Sequence, residues 1–207
     1  MFQNRTEAGK QLADRLLDSG VEADIVLGIP RGALPVARPV ADALDVPLDV
    51  VVASKLGAPG NPELAIGAVA SEGNLWLNDG LVDQLGVSQQ YIETQRQAEA
   101  EYAHERAERY RNTGRVPDLG GKRVVIVDDG VATGATAFAC LRQVREAGAV
   151  RVVLAVPVGS PNSLDDLVDE VDELIALRTP ENFRAVGQFY REFGQVSDEE
   201  AIQYLDW

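Results

Sequence analysis

Apolar positions along the chain follow two spacings. The runs ADIVLGI (23–29), LDVVVASK (48–55), RVVIV (123–127), RVVLAVPV (151–158) and ELIALRT (173–179) are nearly continuous, whereas the segments between them place apolar residues three or four apart. Continuous runs of that length suit strands buried on both faces, and the intervening period suits helices that cross over a parallel sheet. The pattern therefore predicts an α/β fold with a five-stranded core. Helices are expected over about residues 5–19, within ALPVARPVADAL (33–44), where Pro35 and Pro39 restrict the start, and over 88–112 with Ser88 as N-cap. AIGAVA (65–70) and NLWLN (74–78) flank Ser71-Glu72-Gly73 and read as a hairpin attached to the sheet, after a Gly/Pro-rich loop from Gly57 to Gly67. Beyond about residue 180 the pattern loosens into an aromatic-rich and then helical cap, so residues 1–207 read as one domain.

Charge narrows the function. The 33 acidic and 19 basic residues leave a net charge of -14, and the only lysines are Lys10, Lys55 and Lys122. No basic patch is visible of the kind that binds nucleic acid or a membrane surface. An anionic substrate would need a local nest of donors to overcome this field. No run approaches the roughly 18 apolar residues of a membrane span, and the start reads as an amphipathic helix rather than a secretion signal, so a cytoplasmic protein is expected. Cys140 has no partner for an internal disulfide and reads as a small buried hydrophobe. His104, the single histidine, lies in the charge-rich 88–112 segment, which reads as a solvated helix; a histidine-dependent triad has little support.

The most informative stretch is RVVIVDDGVATGATA (123–137). A strand, a small-residue loop and a helix together hold phosphate, because loop amides and the helix N-terminus offer donors and partial positive charge. Gly134 permits close approach of the backbone, and Thr133 and Thr136 add hydroxyls. The lysine of a P-loop is missing, and no GxGxxG opens the helix. Asp128 and Asp129 would repel a bare anion, so they must address hydroxyls or a metal. A sugar phosphate reconciles the two demands; the plainer alternative is that the acids cap a turn at a strand end.

VVIVDDGVATGAT resembles the phosphoribosyl-pyrophosphate (PRPP) signature of type I phosphoribosyltransferases, and IPRGALPVA, SKLGAPGNPELAIGAV and AVGQFYREF resemble a bacterial and archaeal branch of that family. The resemblance implies a five-stranded parallel sheet in the order 3-2-1-4-5, with a hairpin and a C-terminal hood over about residues 180–207. It implies that Asp128 and Asp129 hold the ribose hydroxyls and that Ala132, Thr133, Gly134, Ala135 and Thr136 cradle the 5′-phosphate. Arg31 and Gly32, in GIPRGA (28–33), match the pyrophosphate loop, and Lys55 is a candidate pyrophosphate partner; an ordinary turn and a solvated lysine are the bland alternatives. Gly57–Gly67 is expected to be a mobile lid, with Glu63 either a metal or acid–base group or simply solvated. In the hood, Phe189 and Tyr190 are candidates to stack on a base, with Phe183 and Phe193 behind them, although all four could equally close the sheet edge.

The implied activity is Mg²⁺-dependent transfer of the 5-phosphoribosyl group from PRPP to a nitrogen acceptor, with a nucleobase in nucleotide salvage as the expectation, and release of pyrophosphate. Mg²⁺ would be carried mainly by PRPP, without a dedicated protein metal site, and the resemblance allows a homodimer. Hypoxanthine/guanine enzymes usually carry an aspartate where this chain has Ala132, and a hood aspartate is replaced around Phe189. Both departures leave the acceptor open. A PRPP- or nucleotide-sensing regulator that kept the fold without turnover is the competing function. Acid excess with few lysines fits either a salt-adapted proteome or a GC-rich genome. Salt adaptation predicts loss of stability and solubility on dialysis into low salt, followed by circular dichroism and light scattering; full retention assigns the composition to the genome.

Overall fold

The strand that ends in the two aspartates lies at the centre of the main sheet. The computed structural model describes residues 1–111 and 117–205, without the side chain of Glu63. The chain runs α1 (Arg5–Asp18), β1 (Ile25–Gly28), α2 (Leu34–Leu44), β2 (Leu48–Val50), β3 (Ala53–Ala58), β4 (Asn61–Ala70), β5 (Leu75–Leu77), α3 (Asp79–Leu85) and α4 (Gln89–Tyr110). It continues through β6 (Arg123–Val127), α5 (Ala135–Glu146), β7 (Arg151–Val158), α6 (Pro161–Leu167), β8 (Glu173–Arg178) and α7 (Asp198–Ile202).

Five strands pair in the order β2-β1-β6-β7-β8, all parallel. The five-stranded parallel core is the one expected, with the first strand between the second and the strand that bears the motif. Counted among these five strands alone, the order is 2-1-3-4-5. The outer place written third in 3-2-1-4-5 would lie beyond β2, but the strand that follows β2 pairs elsewhere, and β8 extends the opposite edge instead. β6 pairs directly with β1, from Ile25 opposite Val124 to Gly28 opposite Val127. Alternate residues of a strand face opposite ways, so Val125 and Val127 pack with Leu12, Leu16, Val36 and Val40 of α1 and α2. Val124 and Ile126 pack with Leu141 and Val144 of α5 on the other face. Both faces are covered, which is why the strand runs lack polar alternation.

LDVVVASK is not one strand. Leu48–Val50 stay in the parallel sheet, Val51 and Val52 are buried at a crossing, and Ala53–Ala58 enter a separate antiparallel sheet of order β3-β4-β5. An apolar run carries no mark of where a chain changes sheets. Lys55 therefore stands on the antiparallel sheet and not at the end of a parallel strand. The expected loop Gly57–Gly67 is also largely paired: β3 and β4 form a hairpin in which Ala58 meets Asn61 around Gly60, whose φ is 75°. Glu63's side chain lies outside the described residues.

The N-cap of α4 is the expected one, with Ser88 Oγ accepting from the Tyr91 amide at 3.2 Å. Ile92, Ala103, Ala107 and Tyr110 are its buried residues, so this charge-rich helix has a narrow inward stripe. Among the described residues no helix is long and apolar enough to cross a membrane.

Because α1 returns antiparallel to β1, its N-terminus reaches the carboxyl edge of the sheet, where Arg5 meets Asp129. Close packing of α1 on α2 depends on Gly9: a Cβ there would sit 2.4 Å from the Val36 carbonyl oxygen. Gly9→Ala is expected to destabilise the fold by about 1–3 kcal/mol, the usual range for overpacking, as measured by the urea midpoint; an unchanged midpoint would mean that the helices separate at little cost.

Candidate active site

In a parallel sheet, loops leaving the carboxyl ends of adjacent strands come together. Here these are the β1–α2 loop, with Arg31 and Gly32, and the β6–α5 loop, residues 128–134. Arg5 Nε donates to Asp129 Oδ2 at 2.8 Å, with both side chains largely buried. Arg5 Nη1 donates to the Gly194 carbonyl at 2.8 Å, and its guanidinium lies over the Phe193 ring at 3.8 Å. Asp128 Oδ1 accepts from the Asp129 amide at 2.8 Å. Gly32 has little choice of residue, since a Cβ there would fall 2.2 Å from Asp129 Oδ2. The peptide bond between Pro30 and Arg31 is cis.

Burial dominates the electrostatics of the acids. It pushes the Asp128 carboxyl well above the usual carboxylate range, and the charge of Asp129 pushes it further, against the Asp129 amide, Lys55 and Arg5. Burial also raises Asp129, with Arg5 as the main opposing influence.

Two recesses open on the acids. The smaller, about 170 Å³, is lined by Lys55, Asp128 and residues 130–137, with Val186. It thus gathers Ala132, Thr133, Gly134, Ala135 and Thr136. Gly134 caps α5 with φ 76°, leaving the first amides of a 12-residue helix directed at the recess. Ser163 Oγ donates to the Ala132 carbonyl at 2.5 Å and braces the loop from α6. The larger recess, about 480 Å³, is lined by Arg5, Pro30, Arg31, Gly32, Asp128, Asp129, Thr136 and Arg106, together with Val186, Phe193 and Gln195. The recesses share Asp128, Thr136 and Val186 and form one cleft. Arg31 is partly exposed, with Asp198 at 3.7 Å.

Phe189 is placed differently from expectation. It packs on Phe183 at 5.3 Å between ring centroids and lines neither recess. Tyr190 is buried, and its hydroxyl donates to the Asp129 carbonyl at 2.6 Å. The hood aromatic that does face the cleft is Phe193, with Arg5 over its ring. The 3₁₀ turn Val186–Phe189 turns Val186 toward the motif and Phe189 toward its aromatic neighbours. Arg5, Arg106 and Asp198 took no part in the sequence-derived site, and Tyr190 entered it only as a candidate ring to stack on a base. Arg5 opens a helix and Arg106 lies beside buried Ala103 and Ala107; only that second spacing was a local signal.

Carboxylates, hydroxyls, helix N-terminal amides and cations thus meet in one cleft at the carboxyl edge of an α/β sheet. Residues 2–193 match the model of the phosphoribosyl transferase domain, and the chain belongs to that family. A Mycobacterium tuberculosis protein (strain H37Rv) with phosphoribosyl transferase in its name is 45% identical over 207 residues, which is 100% of this chain and 46% of that protein. The chain thus spans about half the length of the curated relatives it matches first. TT1426 from Thermus thermophilus is similar in structure, with 44% identity, a TM-score of 0.84, and coverage of 99% of this chain and 97% of that one. A purine phosphoribosyltransferase from Pyrococcus horikoshii, at 20% identity, TM-score 0.50 and 93% coverage of each chain, shares the fold.

The raised Asp128 carboxyl has a consequence for stability. A carboxyl that binds its proton more tightly when folded than when unfolded penalises the fold once ionised, so its cost appears as pH rises from the unfolded value of 3.8 through the higher folded one. Asp128→Asn keeps an oxygen for the Asp129 amide and removes the buried charge. At neutral pH without ligand it is expected to raise the thermal midpoint by roughly 2–4 °C, equivalent to about 1 kcal/mol in a chain of this size. Scanning calorimetry checks this, and a lowered midpoint would show that the charge is compensated.

Proposed function

We propose that the chain catalyses phosphoribosyl transfer from PRPP to a nitrogen acceptor. The single observation that carries this is the contiguous cleft, in which an amide-lined phosphate recess meets a cation-lined recess at two adjacent aspartates. A ribose 5-phosphate spans that junction with its phosphate on residues 132–136 and its hydroxyls on Asp128 and Asp129. Its C1′ diphosphate then faces Gly32 and Arg31 in the larger recess. In the reaction the acceptor nitrogen's lone pair forms the C1′–N bond while the C1′–O electron pair leaves with pyrophosphate, and the acceptor's N–H proton goes to solvent or a base. The transition state is oxocarbenium-like, so positioned donors on the leaving group and a fixed ribose are the needed contributions.

Mg²⁺ fits this donor set as a substrate-borne ion. Mg²⁺ characteristically takes one or two carboxylates with water and substrate phosphates, and Asp128 and Asp129 offer such carboxylates at the junction of the recesses. When bound it would neutralise charge on the departing diphosphate. Lys55, expected as a pyrophosphate partner, instead lines the phosphate recess from the hairpin sheet, and the β3–β4 hairpin remains the candidate lid. The acceptor is proposed to be a nucleobase-like heterocycle, beside Val186 and Phe193 instead of Phe189. Nucleotide salvage in the cytoplasm is the setting proposed.

One observation favours the competing sensor. Asp129 Oδ2 is already held by Arg5, so ribose binding must share or displace that contact. Incubation with PRPP, Mg²⁺ and a panel of nucleobases, read as pyrophosphate release, separates the two. Turnover with one acceptor is the expected outcome and names it; tight PRPP binding with no product on any acceptor supports the sensor, and no PRPP binding overturns both.

A further inference from the structure

We infer that Arg106, on the long helix α4, is a pyrophosphate-binding residue of the cleft. This rests on the phosphoribosyl transfer reading above and adds an element that no local motif marks. The helix carries Ala103, Ala107 and Tyr110 on its inward stripe, each essentially fully buried. Two small side chains on that stripe let the helix backbone approach the sheet closely, and Arg106 lies beside them on the flank nearest the β1–α2 loop. Its Nη2 donates to the Pro30 carbonyl at 3.3 Å, on the same turn that carries Arg31 and Gly32. Arg106 lines the larger recess together with those residues and both aspartates.

The charge inventory explains why a further cation is required. A diphosphate ester brings several negative charges into a recess that already holds Asp128 and Asp129. Arg5 is committed to Asp129, the Gly194 carbonyl and the Phe193 ring, so it contributes little to a leaving group. Arg31 is restrained by Asp198 at 3.7 Å and also feels the charge of Glu199, and Lys55 opens on the phosphate recess. The groups that Arg106 touches are neutral: the Pro30 carbonyl, the Tyr110 hydroxyl and the distant face of Tyr102 at 5.7 Å. Among the described residues no carboxylate forms an ion pair with Arg106, and Asp198, the carboxylate beyond the Tyr110 hydroxyl, is held by that hydroxyl at 2.6 Å, so the fork of donors can turn to phosphate oxygens.

The same helix is tied to the hairpin that carries Lys55. Tyr91 Oη donates to the Gly57 carbonyl at 2.9 Å, and Ser54 Oγ donates to the Glu99 carboxylate. Lys55 and Arg106 thus belong to one packed unit. During transfer the C1′–O electron pair departs with the diphosphate, and Arg106 donates hydrogen bonds to the departing oxygens without giving up a proton.

The test is calorimetric titration of wild type, Arg106→Gln and Arg106→Lys with PRPP, inorganic pyrophosphate and ribose 5-phosphate, all with Mg²⁺. Loss of a charge-assisted donor is expected to weaken PRPP and pyrophosphate by about 10- to 100-fold, while ribose 5-phosphate, which lacks the diphosphate, stays within about two-fold. Arg106→Lys is expected to recover part of the loss, because it keeps the charge without the fork. Equal weakening of all three ligands would assign Arg106 a merely structural role, and unchanged PRPP and pyrophosphate affinities would also overturn the inference; either result leaves the parent reading standing. Failure of the wild type to bind any of the three overturns both. Should Arg106→Gln not fold, the Arg106→Lys ratio between pyrophosphate and ribose 5-phosphate decides alone.

Discussion

Arg5 and Asp129 are 124 residues apart in sequence and 2.8 Å apart in space, with both side chains largely removed from water. Breaking a buried pair on one side costs about 3–5 kcal/mol, because the remaining charge is left uncompensated. The pair fastens the first turn of α1 to the motif at the end of β6. Through the Gly194 carbonyl and the Phe193 ring it also draws the C-terminal segment over the cleft. Tyr190 completes the fastening from the other side by donating to the Asp129 carbonyl, and the Phe2 amide donates to the Phe189 carbonyl at 2.7 Å. Residues 2–5 and residues 189–194 are thus held around the same aspartate.

That arrangement addresses the electrostatic difficulty of the molecule. A net charge of -14 repels anions at long range, but exposed charges are screened beyond about 8 Å at physiological salt. What would count for the proposed phosphate inside the cleft is the local set that lines it: the α5 amides, Lys55, Arg31 and Arg106. The two aspartates work against that set, and burial raises both of their carboxyls. Arg5 offsets part of this penalty for Asp129 by direct contact, whereas Asp128 accepts from the neighbouring amide and feels Lys55 and Arg5 only at a distance. The adjacent acids therefore differ in environment despite identical chemistry: one is clamped and the other is held mainly by burial.

Much of the cleft was legible along the chain because it is built from contiguous segments. Strand, acids, small loop and helix occur in one run of residues, 123–137, and GIPRGA needs only the first strand and its turn. Local spacing suffices for such pieces. Lys55 was harder to place, since LDVVVASK reads as one strand and breaks only because Ala53–Ala58 find antiparallel partners in β4. Phe189 shows the same difficulty at the scale of one turn. Adjacent aromatics in AVGQFYREF have similar hydrophobicity, and only the 3₁₀ turn decides that Phe193 faces the cleft while Tyr190 braces Asp129.

Read along the chain, the residues settle the alternation of strands and helices, the parallel class of the sheet, and the succession of acids, hydroxyls and glycines in the central loop. These follow from periodicity and short-range stereochemistry, which act within a dozen residues. Packing in three dimensions was needed for the strand order 2-1-3-4-5, the separate hairpin sheet, the pairing of Arg5 with Asp129, and the approach of Arg106 to Pro30. The reason is physical: an arginine looks the same in a solvated helix and in a cleft until packing sets which carboxylate or carbonyl lies within reach of its guanidinium.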